Sequence, residues 1–159
     1  MSKLFAGQEV HVVPLLAPVD IAGVATSSDI IGMKEYLSIQ FLVEFGVITG
    51  DVVTLTVLEC DDTSASSSTA IAYKYRKTSA VGTDLTGALT DIAATGLAVA
   101  ADDDGKAILI DVDPAALTDG YPYLMVTATP GGSATVCLIA IQAILRPRYP
   151  QAVQVSAVD

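Results

Sequence analysis

A single histidine, two cysteines and no tryptophan leave this 159-residue chain short of the side chains from which most active sites are built. A Ser–His–Asp arrangement would have to use His11. That residue sits in "EVHVVP", whose neighbours alternate as in a strand, and no G-x-S-x-G elbow accompanies it. His11, Cys60 and Cys137 are too scattered for zinc, which needs several ligands at local spacing. Two cysteines make no disulfide framework. Each lies in an apolar run, so both are expected to be buried, reduced thiols, as suits assembly inside a cell. Charge is scarce: 16% of residues are charged, against about a quarter in ordinary domains. Positive charge is scarcest, with 8 Lys and Arg against 18 Asp and Glu. A net charge of −10 argues against a nucleic-acid backbone or an anionic membrane surface as partner. The opening "MSKLFAGQEVHVV" lacks a basic stretch followed by a long apolar run, so no secretory leader is expected. The longest apolar run, "VCLIAIQAIL", is too short to span a bilayer and is interrupted by Gln142.

What the chain has in quantity is alternation. In "YLSIQFLVEFG", Leu37, Ile39, Phe41, Val43 and Phe45 alternate with Tyr36, Ser38, Gln40, Leu42 and Glu44, the period-two pattern of a strand with one buried face. "VVTLTVLEC" alternates too, and the intervening "ITGD" predicts an antiparallel hairpin turning at Gly50. "YPYLMVTAT" and "ATVCLIAIQAIL" flank "PGGS", a second hairpin signal. The last of these strands is apolar on both sides, so either it is covered on both faces or one face meets another chain. "KAILIDVD" reads as a strand burying Ile108, Ile110 and Val112. "DPAALTDG" then reads as one helical turn with Asp113 as cap, Pro114 first and Gly120 at its end. "IAYKYRK" suits an edge strand, where Lys74, Arg76 and Lys77 discourage stray pairing. "DDTSASSSTA" predicts a solvated, mobile loop, and residues 78–96 a longer one with weak strand character. Together these give an all-β antiparallel sandwich of about eight strands, with jelly-roll topology expected because long crossing loops separate the hairpins. The expected layout is an extended N-terminal arm over 1–18, broken by Pro14 and Pro18, a sandwich over 19–145, and an extended C-terminal tail over 146–159.

The stretch that looks most like chemistry is "AVAADDDGKAILIDVDP". A calcium loop wants oxygen ligands at its first, third, fifth and twelfth positions and glycine at its sixth. With Gly105 at the sixth, Asp104, Asp102 and Asp111 fall on ligand positions, but Ala100 stands at the first and the flanks read as strands. Asp104-Gly105 is better read as a turn, leaving only weak, opportunistic calcium binding by Asp102–Asp104. "GTDLTG" and "PGGS" lack the strand-to-helix setting of a phosphate loop. A carboxylate-pair glycosidase would want aromatic walls around its sugar, and aromatics are 6% of the chain. No enzyme activity, cofactor or metal is expected. "YKYR" could stack on single-stranded nucleic acid, but a solvated strand explains it. "LRPRYP" places Arg146, Arg148 and Tyr149 around prolines, and Arg and Tyr are enriched among interface anchors. These three residues, with His11, Val13 and Leu15 of the N-terminal arm, are the expected contact residues.

Two segments carry a resemblance. "SSDIIGMKEYLSIQFLVEFGVITGDVVTLTVLECDD" and "AILIDVDPAALTDGYPYLMVTATPGGSATVCLIAIQAILRPRYPQ" resemble a group of small β-sandwich virion structural proteins of tailed bacteriophages. The shared pattern is an acidic turn before G-x-x-x-Y, a long alternating strand, E-x-D-D (Glu59, Asp61, Asp62) and a final hairpin ending near R-Y-P. It spans roughly Ser27 to Gln151. The chain departs from it where many relatives carry a tryptophan: "TSASSSTAIAY" stands there instead. The resemblance implies a capsid decoration (cement) protein that binds the outer head surface and bridges capsid subunits. Its partners would be the major capsid protein and copies of itself, as dimer or trimer around a capsid axis, in virions assembled in the host cytoplasm. A tail or neck component is the alternative. A glycan-binding attachment module is a third, which would need a platform from Tyr36, Tyr73, Tyr75, Tyr121 and Tyr123. If both ends are interface arms, truncating them should leave a folded domain that no longer assembles.

Overall fold

A computed structural model describes residues 9–149, 153 and 155–158. The described residues form twelve strands: β1 (His11–Asp20), β2 (Thr26–Ser27), β3 (Ile31–Gly32), β4 (Tyr36–Thr49), β5 (Val53–Cys60), β6 (Ser68–Ile71), β7 (Tyr73–Lys77), β8 (Thr90–Ile92), β9 (Leu97–Val99), β10 (Ala107–Val112), β11 (Tyr123–Pro130) and β12 (Val136–Pro147). They make two sheets. The first runs β1-β12-β4-β10-β7-β8 and the second β2-β11-β5-β6, with β3 also on β11 and β9 also on β5. Every pairing is antiparallel.

The all-β sandwich is as expected, and the pairing order makes it a jelly roll. If β2 and β3 are taken as one strand and β7, β8 and β9 as additions, the first strand pairs with the last (β1 with β12). The second then pairs with the seventh (β2/β3 with β11), the third with the sixth (β4 with β10) and the fourth with the fifth (β5 with β6). This is one long hairpin, rolled up so that β4 also lies beside β12 and β5 beside β11.

Rolling overturns both expected hairpins. β4 and β5 lie in opposite sheets, and so do β11 and β12. Alternation says which face of a strand is buried and is silent about its neighbour. Ile39, Phe41, Val43 and Phe45 of β4 and Val53, Leu55 and Val57 of β5 are all buried, from opposite sides of one core. The two turns are therefore arches over the edge of the sandwich, and they bond to each other. Thr135 N donates to Thr49 O at 2.9 Å and Gly131 N to Val52 O at 2.8 Å, while the Thr49 and Thr135 hydroxyls meet at 2.8 Å. Gly50 takes φ +93°, and a Cβ there would stand 2.1 Å from Ser133 O, so no other residue fits between the arches.

The segment read as one edge strand is also divided. β6 ends at Ile71 in the second sheet and β7 begins at Tyr73 in the first, and β8 covers Tyr73–Tyr75 from outside. Two of the three charges that looked protective have ionic partners, because Lys74 pairs with Asp91 on β8 and Lys77 with Asp103. Tyr73 itself ties the layers together. Its buried hydroxyl donates to Leu55 O at 2.7 Å and accepts from Leu97 N at 3.0 Å, both in the second sheet, and burial pushes its pKa up to about 12. The helical turn after β10 is present as a three-residue 3-10 turn, Pro114–Ala116, capped by Asp113 Oδ1 from Ala115 N at 2.9 Å.

The expected boundary at residue 18 does not separate an arm from a domain. Residues 11–20 are extended, but they form β1 against the whole inner length of β12, with register shifts after Pro14 and Leu16. The prolines keep β1 at the sheet edge, where a missing N–H is harmless. Its alternate side chains Val13 and Leu15 belong to the core. The last segment also returns to the sandwich, since Ala157 is buried, its carbonyl accepts from Gly32 N at 3.0 Å, and Val158 bridges Ile31. Removing residues 1–18 is accordingly expected to unfold or severely weaken the protein rather than leave a competent domain. Val13 and Leu15 alone account for roughly 1.5–3 kcal/mol each, and the β1–β12 ladder goes with them. A urea melt followed by circular dichroism checks this; an unchanged midpoint would make β1 a detachable arm.

Candidate interaction surfaces

The residue types that carry chemistry are engaged in holding the sandwich. Cys60 and Cys137 are fully buried free thiols. Burial raises both thiols, helped by Asp61, Asp62 and Glu59 at Cys60 and by Asp20 at Cys137, which reaches about 11. His11 Nδ1 lies 2.9 Å from the Tyr36 hydroxyl, the rings are tilted with centroids 6.0 Å apart, and burial holds the imidazole below its ordinary value. The E-x-D-D run also does structural work. Glu59 is buried, with Oε2 accepting from Thr118 N at 2.8 Å and Oε1 from the Thr118 hydroxyl at 2.6 Å, which pins the segment leading to β11. Asp62 Oδ1 accepts from the amides of Ser64 and Ser66, and Asp61 Oδ1 from Ser67, so carboxylates organise the exposed serine loop from within.

The three consecutive aspartates separate in role. Asp103 is buried and its Oδ1 meets Lys77 Nζ at 2.7 Å and Lys106 Nζ at 3.2 Å. Asp104 Oδ1 accepts from Ile48 N at 2.7 Å, and Asp102 is exposed. Gly105 turns the chain at φ +67°. This turn joins β9 in one sheet to β10 in the other, so the acidic run is another crossing and only partly a solvent-facing one. No cluster of three or more metal-ligating side chains occurs among the described residues.

The six expected contact residues divide. Val13 and Leu15 are buried in the core and are corrected to packing residues. His11 is half-buried against Tyr36. Arg146 and Arg148 are exposed, and Tyr149 is 75% exposed. Arg148 is positioned by its backbone, whose N–H donates to Glu35 O at 2.9 Å, and by Nε donating to Lys34 O at 2.9 Å. Sequence reasoning missed Tyr36, whose hydroxyl joins His11 to Val155 O (3.4 Å) and so gathers β1, β4 and the C-terminal segment at one end of the sandwich. The only signal was its place in G-x-x-x-Y. At this same end Leu37, Val153 and Val155 are exposed. Pro150, Gln151, Ala152, Gln154 and Asp159 of the expected tail, and residues 1–8 of the expected arm, lie outside the described residues.

The outer face of the first sheet answers the question raised by the doubly apolar β12. Its inward residues Cys137, Ile139, Ile141, Ala143 and Leu145 are buried, while Leu138 is exposed and Ala140 and Ile144 half-exposed on the outer side. Nothing among the described residues covers that side. At the end of this face nearest the termini lie two shallow cavities of about 420 Å³ each, which share Asp111. One is walled by Ser38, Gln40, Ile144 and Arg146; the other is lined by Tyr73, Ile92 and Val112 with Asp111, Asp113 and the paired Lys74 and Asp91.

No family model matches the chain, and no curated protein matches it. Among solved structures, one similarity is to a chain in the structure of infectious bursal disease virus, Gt strain, at 11% identity and a TM-score of 0.27. It covers 92% of this chain, which spans 42% of that one.

Two outcomes follow from the aspartate turn. Burial opposes ionisation of Asp103, but hydrogen bonds and charge from Lys77 and Lys106 outweigh it, leaving its pKa below the ordinary 3.8. The stabilisation is therefore present above that ordinary value and is lost as pH falls through the lower, folded one. Asp103→Asn is expected to cost roughly 1.5–3 kcal/mol at neutral pH and to flatten the stability profile below about pH 4, read from urea midpoints across pH. Calcium at millimolar concentration is expected to leave the melting temperature of the native chain unchanged, because Asp103 and Asp104 already have partners; a clear upward shift would restore the metal reading.

Proposed function

We propose that this chain is a virion structural subunit of a tailed bacteriophage, a head decoration (cement) protein that binds the outer capsid surface and bridges major capsid protein subunits. The observation that carries the reading is the convergence of both ends of a jelly roll on one rim. There, Tyr36 holds β1 and the C-terminal segment together, and Leu37, Arg146, Arg148 and Tyr149 stand exposed. A rim of this composition, with apolar and aromatic anchors beside guanidinium groups, suits docking onto another protein surface. The resemblance over Ser27 to Gln151 supplies the phage and the capsid.

A non-enzymatic role is supported by how the reactive residue types are used. The lone histidine bonds a structural tyrosine, the thiols are buried with raised pKa values, and the most buried aspartate holds two lysines. The glycan-binding alternative is weakened, because Tyr36 and Tyr73 are buried and Tyr75 packs against the core, leaving only Tyr121 and Tyr123 of the imagined platform. In the proposed role the protein resides on the capsid surface, and its binding adds buried area between neighbouring capsid subunits, which raises the barrier to their separation.

Purified protein is expected to rebind heads lacking it and to raise their resistance to heat and osmotic shock. Absence of binding at saturating concentration overturns the reading. A copy number of about a dozen or fewer per particle would move the protein to the neck or tail tip.

A further inference from the structure

We infer that the rim of the first sheet is a contact between two copies of this chain, in which the Arg146–Tyr149 tab of each copy enters the acidic cavity of the other. The cavity of about 420 Å³ beside β7, β8 and β10 has a mainly apolar floor of Tyr73, Ile92 and Val112 and a rim of Asp111, Asp113 and the Lys74–Asp91 ion pair, so two of its carboxylates carry net negative charge. The tab presents a tyrosine that is 75% exposed, flanked by two exposed guanidinium groups. An aromatic ring with a cationic neighbour is what an apolar cavity with an acidic lip accommodates.

The charges select the occupant. Among the described residues the ion pairs are Lys74–Asp91, Lys77–Asp103 and Lys106–Asp103. Arg146 and Arg148 on one side, and Asp111 and Asp113 on the other, therefore have no ionic partner among the described residues. Asp111 is held by the Gln40 amide at 2.9 Å and Asp113 by its capping bond, so both carboxylates are positioned rather than adrift. A chain of net charge −10 repels its own copies over most of its surface, and here it carries both halves of an attractive contact.

The placement closes the pair. Leu145, next to the tab, lies opposite Ile39 on β4, and Ile39 lies opposite Val112 on β10. Tab root and cavity floor are thus two strand spacings apart, about 10 Å, on one end of one sheet. A twofold axis passing between them, over β4, lets each tab reach the partner's cavity at once, so the assembly stops at two. The contact draws on the same rim as the proposed capsid docking, but it forms, and is tested, without a capsid.

Sedimentation equilibrium on the full chain tests it without heads. The native protein is expected to sediment at the mass of two chains and to dissociate as salt rises. Tyr149→Ala and Asp111→Lys are each expected to raise the dimer dissociation constant about tenfold or more, with thermal melts of the separated chains showing that both variants remain folded. A native chain that is monomeric at every concentration, or a dimer that both variants leave equally tight, overturns the inference. Either result leaves binding to heads to be judged by its own experiment.

Discussion

The hydrogen-bonded ladder between β4 and β12 is the element on which the rest of this fold depends. It joins residues about a hundred positions apart, from Val136 opposite Thr49 to Pro147 opposite Tyr36. On its far flank β12 receives β1, and on its far flank β4 receives β10. Without this ladder β1 and β12 have no link to β4, β10 and the strands beyond them in the first sheet. Few contacts are local in such a topology, and the closure entropy of long loops must be met before pairing is rewarded. The turn residues ease that cost. Gly50 and the Pro130–Ala134 turn bring two arches side by side, so one crossing templates the other.

What could be read in advance was decided by which signals are local. Ile108, Ile110 and Val112 on one side of β10, the Asp113 cap with Pro114 after it, and the buried thiols all follow from residues within a few positions of each other. The neighbours of each strand did not. "ITGD" and "PGGS" have the composition of hairpin turns, and the same glycines serve equally in an arch that carries the chain from one sheet to the other. Nothing local distinguishes a strand that folds back beside its predecessor from one that folds back above it. The choice is made by strands far along the chain that offer a better flank.

The candidate rim shows the same division. Arg146, Arg148 and Tyr149 are visible as an arginine-proline-aromatic run, and they stand on the surface. Val13 and Leu15 looked like part of an arm because prolines surround them, yet β12 draws that segment into the core. Asp111 and Asp113 were visible only as neighbours on one strand side and Tyr36 only as a candidate sugar platform; their meeting with the segments that flank β1 and β12 depends on β4 lying between β10 and β12. Acidity misled in a related way. Three consecutive aspartates suggest an exposed or metal-binding face, whereas burial of Asp103 between two lysines turns its charge into an internal tie.

The antiparallel pairing of the first strand with the last has a mechanical meaning. His11 stands opposite Leu145, so the chain enters and leaves at the same end of the β1–β12 ladder. A pull applied between the two ends runs along the hydrogen bonds, which lie across the strands, and opens them one after another like a zip. A pull across the width of the sandwich meets the interlocked core instead. A sandwich built this way resists load through its faces and yields along the β1–β12 ladder, which makes the rim both the place where the molecule is joined together and the place where it would first come apart.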